Sequence, residues 1–314
     1  MYNYDKNYIS KRATELGFIR DTLEKVYRLA DTLEYLNTNP VLKDNLALKG
    51  GTAINLTVFN LPRLSVDIDL DYLGADSREE MLKKREVINL TLSKFMLASG
   101  YSLSPKTKNP HSLDSWVYEY INTVGNRDNI KVEINYSMRM HIFPAHEMKI
   151  ITENFVSEYK IKCINTIEIF GSKINALLSR AAARDLYDVY NMIKFGLFDE
   201  EEQALLRKSV VFYFAVSAKE SNKNFNISAV DNITKYKIRT DLYPVITKRD
   251  AFELDSAKKS VKDYISELMV LTAQEREFLN KFENKEYVPE LLFDDDEILN
   301  RIKKHPMALW KISL

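Results

Sequence analysis

The sequence predicts an α+β fold, with a mixed β-sheet in its N-terminal half and a mainly α-helical C-terminal half. Alternation of apolar and polar residues recurs between helical segments up to about residue 137, and helical spacing dominates from Thr166 onward. A chain of 314 residues suits two medium domains. The expected division is 1–163 and 164–314, although no flexible linker or low-complexity stretch marks it.

The first element is a helix over Ile19 to Leu36, where Leu23, Val26, Tyr27, Leu29, Leu33 and Leu36 recur at helical spacing. Leu46 to Lys49 then reads as a strand, Gly50-Gly51-Thr52 as a tight turn and Ala53 to Phe59 as a short helix. The alternating run Ser65 to Tyr72 is a half-buried strand, and Ser77 to Leu97 is a helix. Further strands are expected at Tyr101 to Leu103, Trp116 to Ile121 and Ile130 to Ser137, the last two joined through Gly125-Asn126. Beyond Thr166, breaks are expected near Gly196, Asn222 to Asn226 and Pro244, with helices near Ala257 to Val270 and Gln274 to Phe282. No role is read for Ser209 to Leu314, and Pro306 to Lys311 reads as core packing.

Composition narrows the functional classes. Lys plus Arg and Asp plus Glu balance at 45 each, so no overall field draws the chain to nucleic acid, and a polyanion partner must meet a local patch. The only cysteine, Cys163, excludes an internal disulfide framework or a cysteine metal cluster and suits a reducing compartment. The opening MYNYDKNYISKR is polar, and no run approaches the roughly 18 apolar residues of a membrane helix. A cytoplasmic protein with no membrane association is expected.

Three segments carry chemistry. In Val66 to Tyr72 the apolar residues share one strand face and Asp67, Asp69 and Asp71 the other. Like charges two residues apart repel and Asp is a poor strand former, so a compensating cation is expected. Adjacent carboxylates on one face suit magnesium, which takes oxygen ligands and bridges to phosphates; an exposed acidic edge strand is the alternative. Upstream, Gly50 and Gly51 form a turn at which backbone N–H groups can meet phosphate oxygens, with Thr52, Lys49, Arg63 and Ser65 nearby to add hydroxyls and charge. In Lys131 to Asn135, alternation puts Glu133 on a polar face, either as a third carboxylate of the site or as the partner of a lysine. Finally, on one continuous helix Lys173, Arg180 and Arg184 fall within about 40° of one another, a cationic face for a triphosphate. Alternatively Arg184 pairs with Asp188. Asp185 lies about 120° away on that wheel, so it joins the site only if the helix breaks near Ala183, and otherwise serves as a structural salt bridge.

Together, LKGGTAINL, RLSVDIDLDY, KVEIN and KINALLSRAAARDLYDVY, in that order between Leu48 and Tyr190, resemble the AbiEii/MenT-like nucleotidyltransferase toxins of type IV toxin–antitoxin and abortive-infection systems of phage defence. The resemblance implies a nucleotidyltransferase-fold N-terminal domain and a helical C-terminal domain. It implies metal-dependent transfer of a nucleotide from an NTP, in some members onto the 3′ end of tRNA, which blocks translation, and a cognate antitoxin protein. Residue by residue, Gly51 and Thr52 stand where the wider superfamily has Gly-Ser, Asp67 and Asp69 are the metal ligands, Lys173 binds the triphosphate and Asp185 is the acid of the Arg-Asp motif. The expected activity is therefore Mg2+-dependent nucleotidyl transfer, most simply onto tRNA. Transfer onto a protein or a small molecule, or a non-catalytic NTP-binding module, are the alternatives.

Overall fold

The computed structural model of the chain describes residues 5–150, 159–217 and 225–314. The chain folds as two compact units. The first comprises Met1–Arg139, Ala145–Ile164 and Pro244–Asp250, the second Met140–Pro144, Asn165–Tyr243 and Ala251–Leu314.

The first unit opens with α1 (Lys6–Leu16), α2 (Arg20–Thr38) and α3 (Pro40–Asn45). Of these, α1 and α3 were not expected; the apolar positions of α1 are sparse, and Asp5 caps it through the N–H groups of Asn7 and Tyr8. Next come β1 (Leu46–Lys49) and α4 (Gly50–Ala53), which continues as a π-helical turn over Ile54–Val58. After β2 (Asp67–Tyr72), the helix α5 (Arg78–Ala98) starts at a capping box of Ser77 and Glu80. The strands β3 (Ser102–Leu103), β4 (Leu113–Ile121), β5 (Arg127–Asn135), β6 (His146–Lys149) and β7 (Lys160–Cys163) complete it.

All the strands form one seven-stranded mixed sheet in the order β3-β4-β5-β2-β1-β7-β6. The pairs β2–β5 and β1–β7 are parallel and the rest antiparallel. Central position follows burial: Leu48, Ile68, Leu70, Val132 and Ile134 are at most 3% exposed. The helix α2 packs on β5 and β7 with Leu29 and Leu33 fully buried. Its Glu24, also fully buried, accepts from Arg28 and from the N–H of Thr123 in the β4–β5 turn.

Strand limits differ from expectation at several ends. Strand β5 stops at Asn135 rather than Ser137, because the Asn135 side chain accepts the N–H groups of Ser137 and Met138 and turns the chain. Strand β2 starts at Asp67, since Ser65 is drawn to Thr52. The edge strand β6 and its neighbour β7 were not expected, being only four residues each. Nor does the hydropathy pattern mark Pro244–Asp250. This segment joins the first unit through Leu64 N–H to Val245 O (2.6 Å), a bridge between Arg63 and Ile246, and Lys248 N–H to Gly17 O (2.9 Å).

The second unit is helical: α6 (Thr166–Arg180), α7 (Ala183–Lys194), α8 (Glu200–Ser217), the short α9 (Lys235–Lys237), α10 (Leu254–Leu268), α11 (Ala273–Glu283), α12 (Asp296–Ile302) and α13 (Pro306–Ile312). The expected break near Asn222 to Asn226 falls mostly outside the described residues, which resume at Phe225. Helices α6 and α8 approach closely at Gly171, where a Cβ would lie 2.4 Å from Ser209 Oγ. Met140–Pro144 is held here because the buried Glu168 carboxylate accepts the N–H groups of Ile142 and Phe143, each at 2.9 Å. The C-terminal segment departs from the expected core packing: Trp310 is 53% exposed, and only Ala308 of α13 is buried.

The tie between α5 and the sheet is a buried ion pair. Asp114 on β4 is 1% exposed and takes Arg85 in a bidentate grip at 3.0 and 2.5 Å, with Asn89 at 2.8 Å. Removing the carboxylate strands a mostly buried guanidinium. Asp114→Ala is predicted to lower unfolding free energy by about 3 kcal/mol in urea denaturation.

Candidate active site

The site in the first unit grows from the junction of β1 and α4. Gly50 has φ +66°, a conformation that strains any residue with a Cβ. A Cβ on Gly50 would lie 2.8 Å from Asp69 Oδ2, and one on Gly51 would lie 2.6 Å from Arg63 Nη2 and 3.1 Å from Ser65 Oγ. The double glycine is thus required twice, with Asp69 pressed against one residue and Arg63 and Ser65 against the next. In addition, the first-turn N–H groups of a helix lack intrahelical acceptors, and here they open beside a carboxylate strand.

The side chains around this turn hold it in place. Thr52 is fully buried; its hydroxyl donates to the Asp67 carbonyl oxygen and lies 2.9 Å from Ser65 Oγ. Arg63 is 2% exposed and donates from Nη1 to Leu64 O at 3.0 Å, while its backbone N–H donates to Asn55 Oδ1. Thr52 and Arg63 are thus buried braces of the Gly50-Gly51 turn, in which Gly51 is buried with them and Gly50 is half-buried.

Register aligns the acids. Lys49 pairs with Asp69 across β1–β2, and Asp69 with Glu133 across β2–β5, while Asp67 stands opposite Lys131 and Asp71 opposite Asn135. Asp67 and Asp69 are half-exposed, whereas Asp71 is buried with Lys49 Nζ 2.5 Å from its Oδ1. The expected compensating cation is thus Lys49, and Asp71 is its partner. Glu133 is 25% exposed and pairs with Lys131 Nζ at 2.9 Å. The lysine two residues earlier on the same face draws Glu133 away from a three-carboxylate arrangement. Among the described residues no group of three or more His, Cys, Asp or Glu side chains forms a metal cage.

That donor set fits magnesium. The ion binds through one or two carboxylates and takes its remaining ligands from substrate phosphates and water rather than from an all-protein cage. Asp67, Asp69, Asp71 and Glu133 set against Lys49 and Lys131 leave the row a net formal charge of −2, the complement of one divalent cation. The Gly50 cradle leaves Asp69 little room on that side, which fixes its orientation.

In the second unit the basic segment is not one helix, which corrects the wheel arithmetic. α6 ends at Arg180 because Ala181 adopts a left-handed conformation (φ +47°), Ala182 is extended, and α7 starts at Ala183. Lys173 and Arg180 consequently lie on α6, and Arg184, Asp185 and Asp188 on α7. The corner brings Asp185 back under the cations: Lys173 Nζ lies 3.0 Å from Asp185 and 3.1 Å from Asp188, and Arg180 grips Asp185 at 2.7 and 3.0 Å. Arg184 leaves the face of Arg180 and donates from Nε to Asp241 O at 2.9 Å. Lys173 is 8% exposed and Asp185 2%, while the Arg180 side chain is 63% exposed. The pairing of Lys173 with Asp188 has no signature in the sequence, since on one continuous helix they would lie about four turns apart.

Burial alone would raise the Asp185 carboxyl, but Lys173 and Arg180 overcome it and hold the group below the usual aspartate range. A carboxyl depressed on folding contributes stability above its unfolded pKa and loses it as pH falls through the folded value. Asp185→Asn is therefore predicted to lower the urea midpoint at pH 7 and to narrow its gap to wild type as pH drops below the ordinary aspartate range. An unchanged gap down to pH 2 would show that the pairing contributes nothing.

A search of curated proteins by sequence gives no match. Among solved structures, the chain is similar to MenT4, a nucleotidyltransferase toxin from Mycobacterium tuberculosis H37Rv, with a TM-score of 0.64 at 16% identity, covering 96% of this chain and 98% of that one. At that identity the likeness establishes the fold. The sequence profile of the type IV toxin–antitoxin family described as nucleotidyl transferase AbiEii toxin matches residues 32–285, which take in every segment built above. The chain belongs to the AbiEii nucleotidyltransferase toxin family.

Proposed function

We propose that this toxin nucleotidyltransferase transfers a nucleotide from an NTP, with Mg2+, onto the 3′-terminal hydroxyl of tRNA, and so blocks translation and growth. The observation that carries the metal-dependent step is the placement of the half-exposed Asp67 and Asp69 beside the Gly50-Gly51 turn. Asp67 and Asp69 would hold the metal, which when bound supplies Lewis-acid polarisation of the phosphoryl oxygens. The backbone N–H groups at Gly50 and Gly51 orient the phosphates, and Thr52, Ser65 and Arg63 keep that backbone rigid.

In the reaction the acceptor oxygen bonds to the α-phosphorus, the bond from that phosphorus to the bridging oxygen breaks, and pyrophosphate leaves with the electron pair. Glu133, in register with Asp69, takes the hydroxyl proton, and Lys131 offsets the carboxylate charge beforehand. Asp185, held low and enclosed by two cations, is a poor base; it positions Arg180. In the helical unit Lys173 anchors the corner that carries Arg180 and Arg184, two cations suited to an anionic ligand. No helix among the described residues is long and apolar enough to cross a membrane. A cytoplasmic site of action, where tRNA and a cognate antitoxin are present, completes the proposal.

The test is transfer of label from each NTP into total tRNA and into protein extract. Wild type is expected to label tRNA, with Asp67→Asn and Asp69→Asn each reducing the rate by about a thousandfold or more. Label on protein alone would overturn the tRNA reading, and full activity of the variants would overturn the metal site.

A further inference from the structure

One surface of the second unit is built from cations and exposed aromatic rings. Thr234 caps α9, which continues as a π-helical turn over Ile238–Leu242. Ile238 and Leu242 face inward at 3% and 0% exposure. The outward face presents Lys235 and Arg239 four residues apart, with Tyr236 65% and Tyr243 51% exposed. Like charges at that spacing repel, and an anion lying along the turn would relieve them. The Arg239 guanidinium lies 5.8 Å from the Tyr236 ring centroid, which aligns a cation with an aromatic face.

This turn is fastened to the α6–α7 corner. Lys237 Nζ donates to Ala181 O at 3.2 Å, and Arg184 Nε to Asp241 O at 2.9 Å. The corner that carries Arg180 and Arg184 is thus tied to the turn that carries Lys235, Lys237 and Arg239. Opposing them are the exposed Asp241 and the buried Asp185, which is already engaged by Lys173 and Arg180. In a chain of zero net charge this is a local basic surface carrying two ring faces.

We infer that Lys235, Tyr236, Arg239 and Tyr243, continuous with the Arg180–Arg184 corner, form a single-stranded RNA surface on which unpaired bases of the acceptor stack. This inference rests on the tRNA reading proposed above. Cations track the backbone, and tyrosine faces accept any base by stacking, a combination suited to single strands. An acidic peptide would use the cations and leave the rings idle. A duplex offers stacked bases that surface tyrosines cannot reach.

The experiment measures binding of the full-length protein by fluorescence anisotropy to labelled tRNA, intact or with its unpaired 3′ end trimmed. The proteins are wild type, Tyr236→Ala/Tyr243→Ala and Lys235→Glu/Arg239→Glu, with thermal melting as the folding control. The tyrosine variant is expected to weaken binding of intact tRNA by about tenfold or more and to leave trimmed tRNA nearly unchanged. The charge variant should weaken both and flatten the salt dependence. Equal affinity of wild type and the tyrosine variant, or equal loss on both RNAs, would overturn the surface. Labelled transfer separates the two claims: wild type and the tyrosine variant labelling tRNA with the same KM would remove the surface and leave the acceptor reading standing. Label on protein alone, with tyrosine-dependent RNA binding retained, would remove the acceptor reading and leave the surface.

Discussion

The contact between Gly50 and the Asp69 carboxylate is the constraint on which the rest of the site depends. A Cβ at Gly50 would be 2.8 Å from Asp69 Oδ2 and would sit at φ +66°, so the Asp69 carboxylate and the turn share a space that suits glycine. The β1–β2 pairing enforces that closeness, since Lys49, immediately before the turn, is in register with Asp69. The parallel β2–β5 pairing then extends the polar row to Glu133. A one-residue slip in either ladder would turn the acids into the apolar core.

Pairing with lysines distinguishes the acids of this row. Asp71 is buried and matched by Lys49, and Glu133 by Lys131, while Asp67 and Asp69 stay half-exposed. The α6–α7 corner follows the same economy. Buried carboxylates engage Lys173 and the inner side of Arg180, whose side chain stays 63% exposed. Fixing a cation by a buried acid keeps it oriented at low conformational cost, the condition under which charge acts on a transition state.

Much of this was legible in the sequence because it follows from period and residue type. The acid face of β2, the Gly50-Gly51 junction, Glu133 on the polar face of β5 and the helical C-terminal half all come from alternation, spacing and turn chemistry. Contacts made at a distance in the chain were not legible. Lys49 with Asp71, Thr52 with the Asp67 carbonyl, and Pro244–Asp250 at Leu64 depend on tertiary placement that no local pattern encodes. Of the two readings of Lys173 to Asp188, the continuous helix fails and the break near Ala183 holds: Ala181, by type a strong helix former, adopts a left-handed conformation that ends α6, and α7 starts at Ala183. Nor was the burial of Thr52 and Arg63 legible, since their types read as polar side chains open to a ligand.

The central claim is that the Gly50 turn and the Asp67–Asp69 pair act as one metal–nucleotide site. The direct measurement is calorimetric titration of NTP into the full-length protein at several magnesium concentrations, comparing wild type with Gly50→Ala. The account predicts magnesium-dependent binding in wild type and at least a roughly tenfold loss of that affinity in the variant, as a displaced Asp69 carboxylate forfeits more than about 1.4 kcal/mol of metal-linked binding. A variant that stays folded and binds NTP with wild-type affinity and magnesium dependence would contradict it.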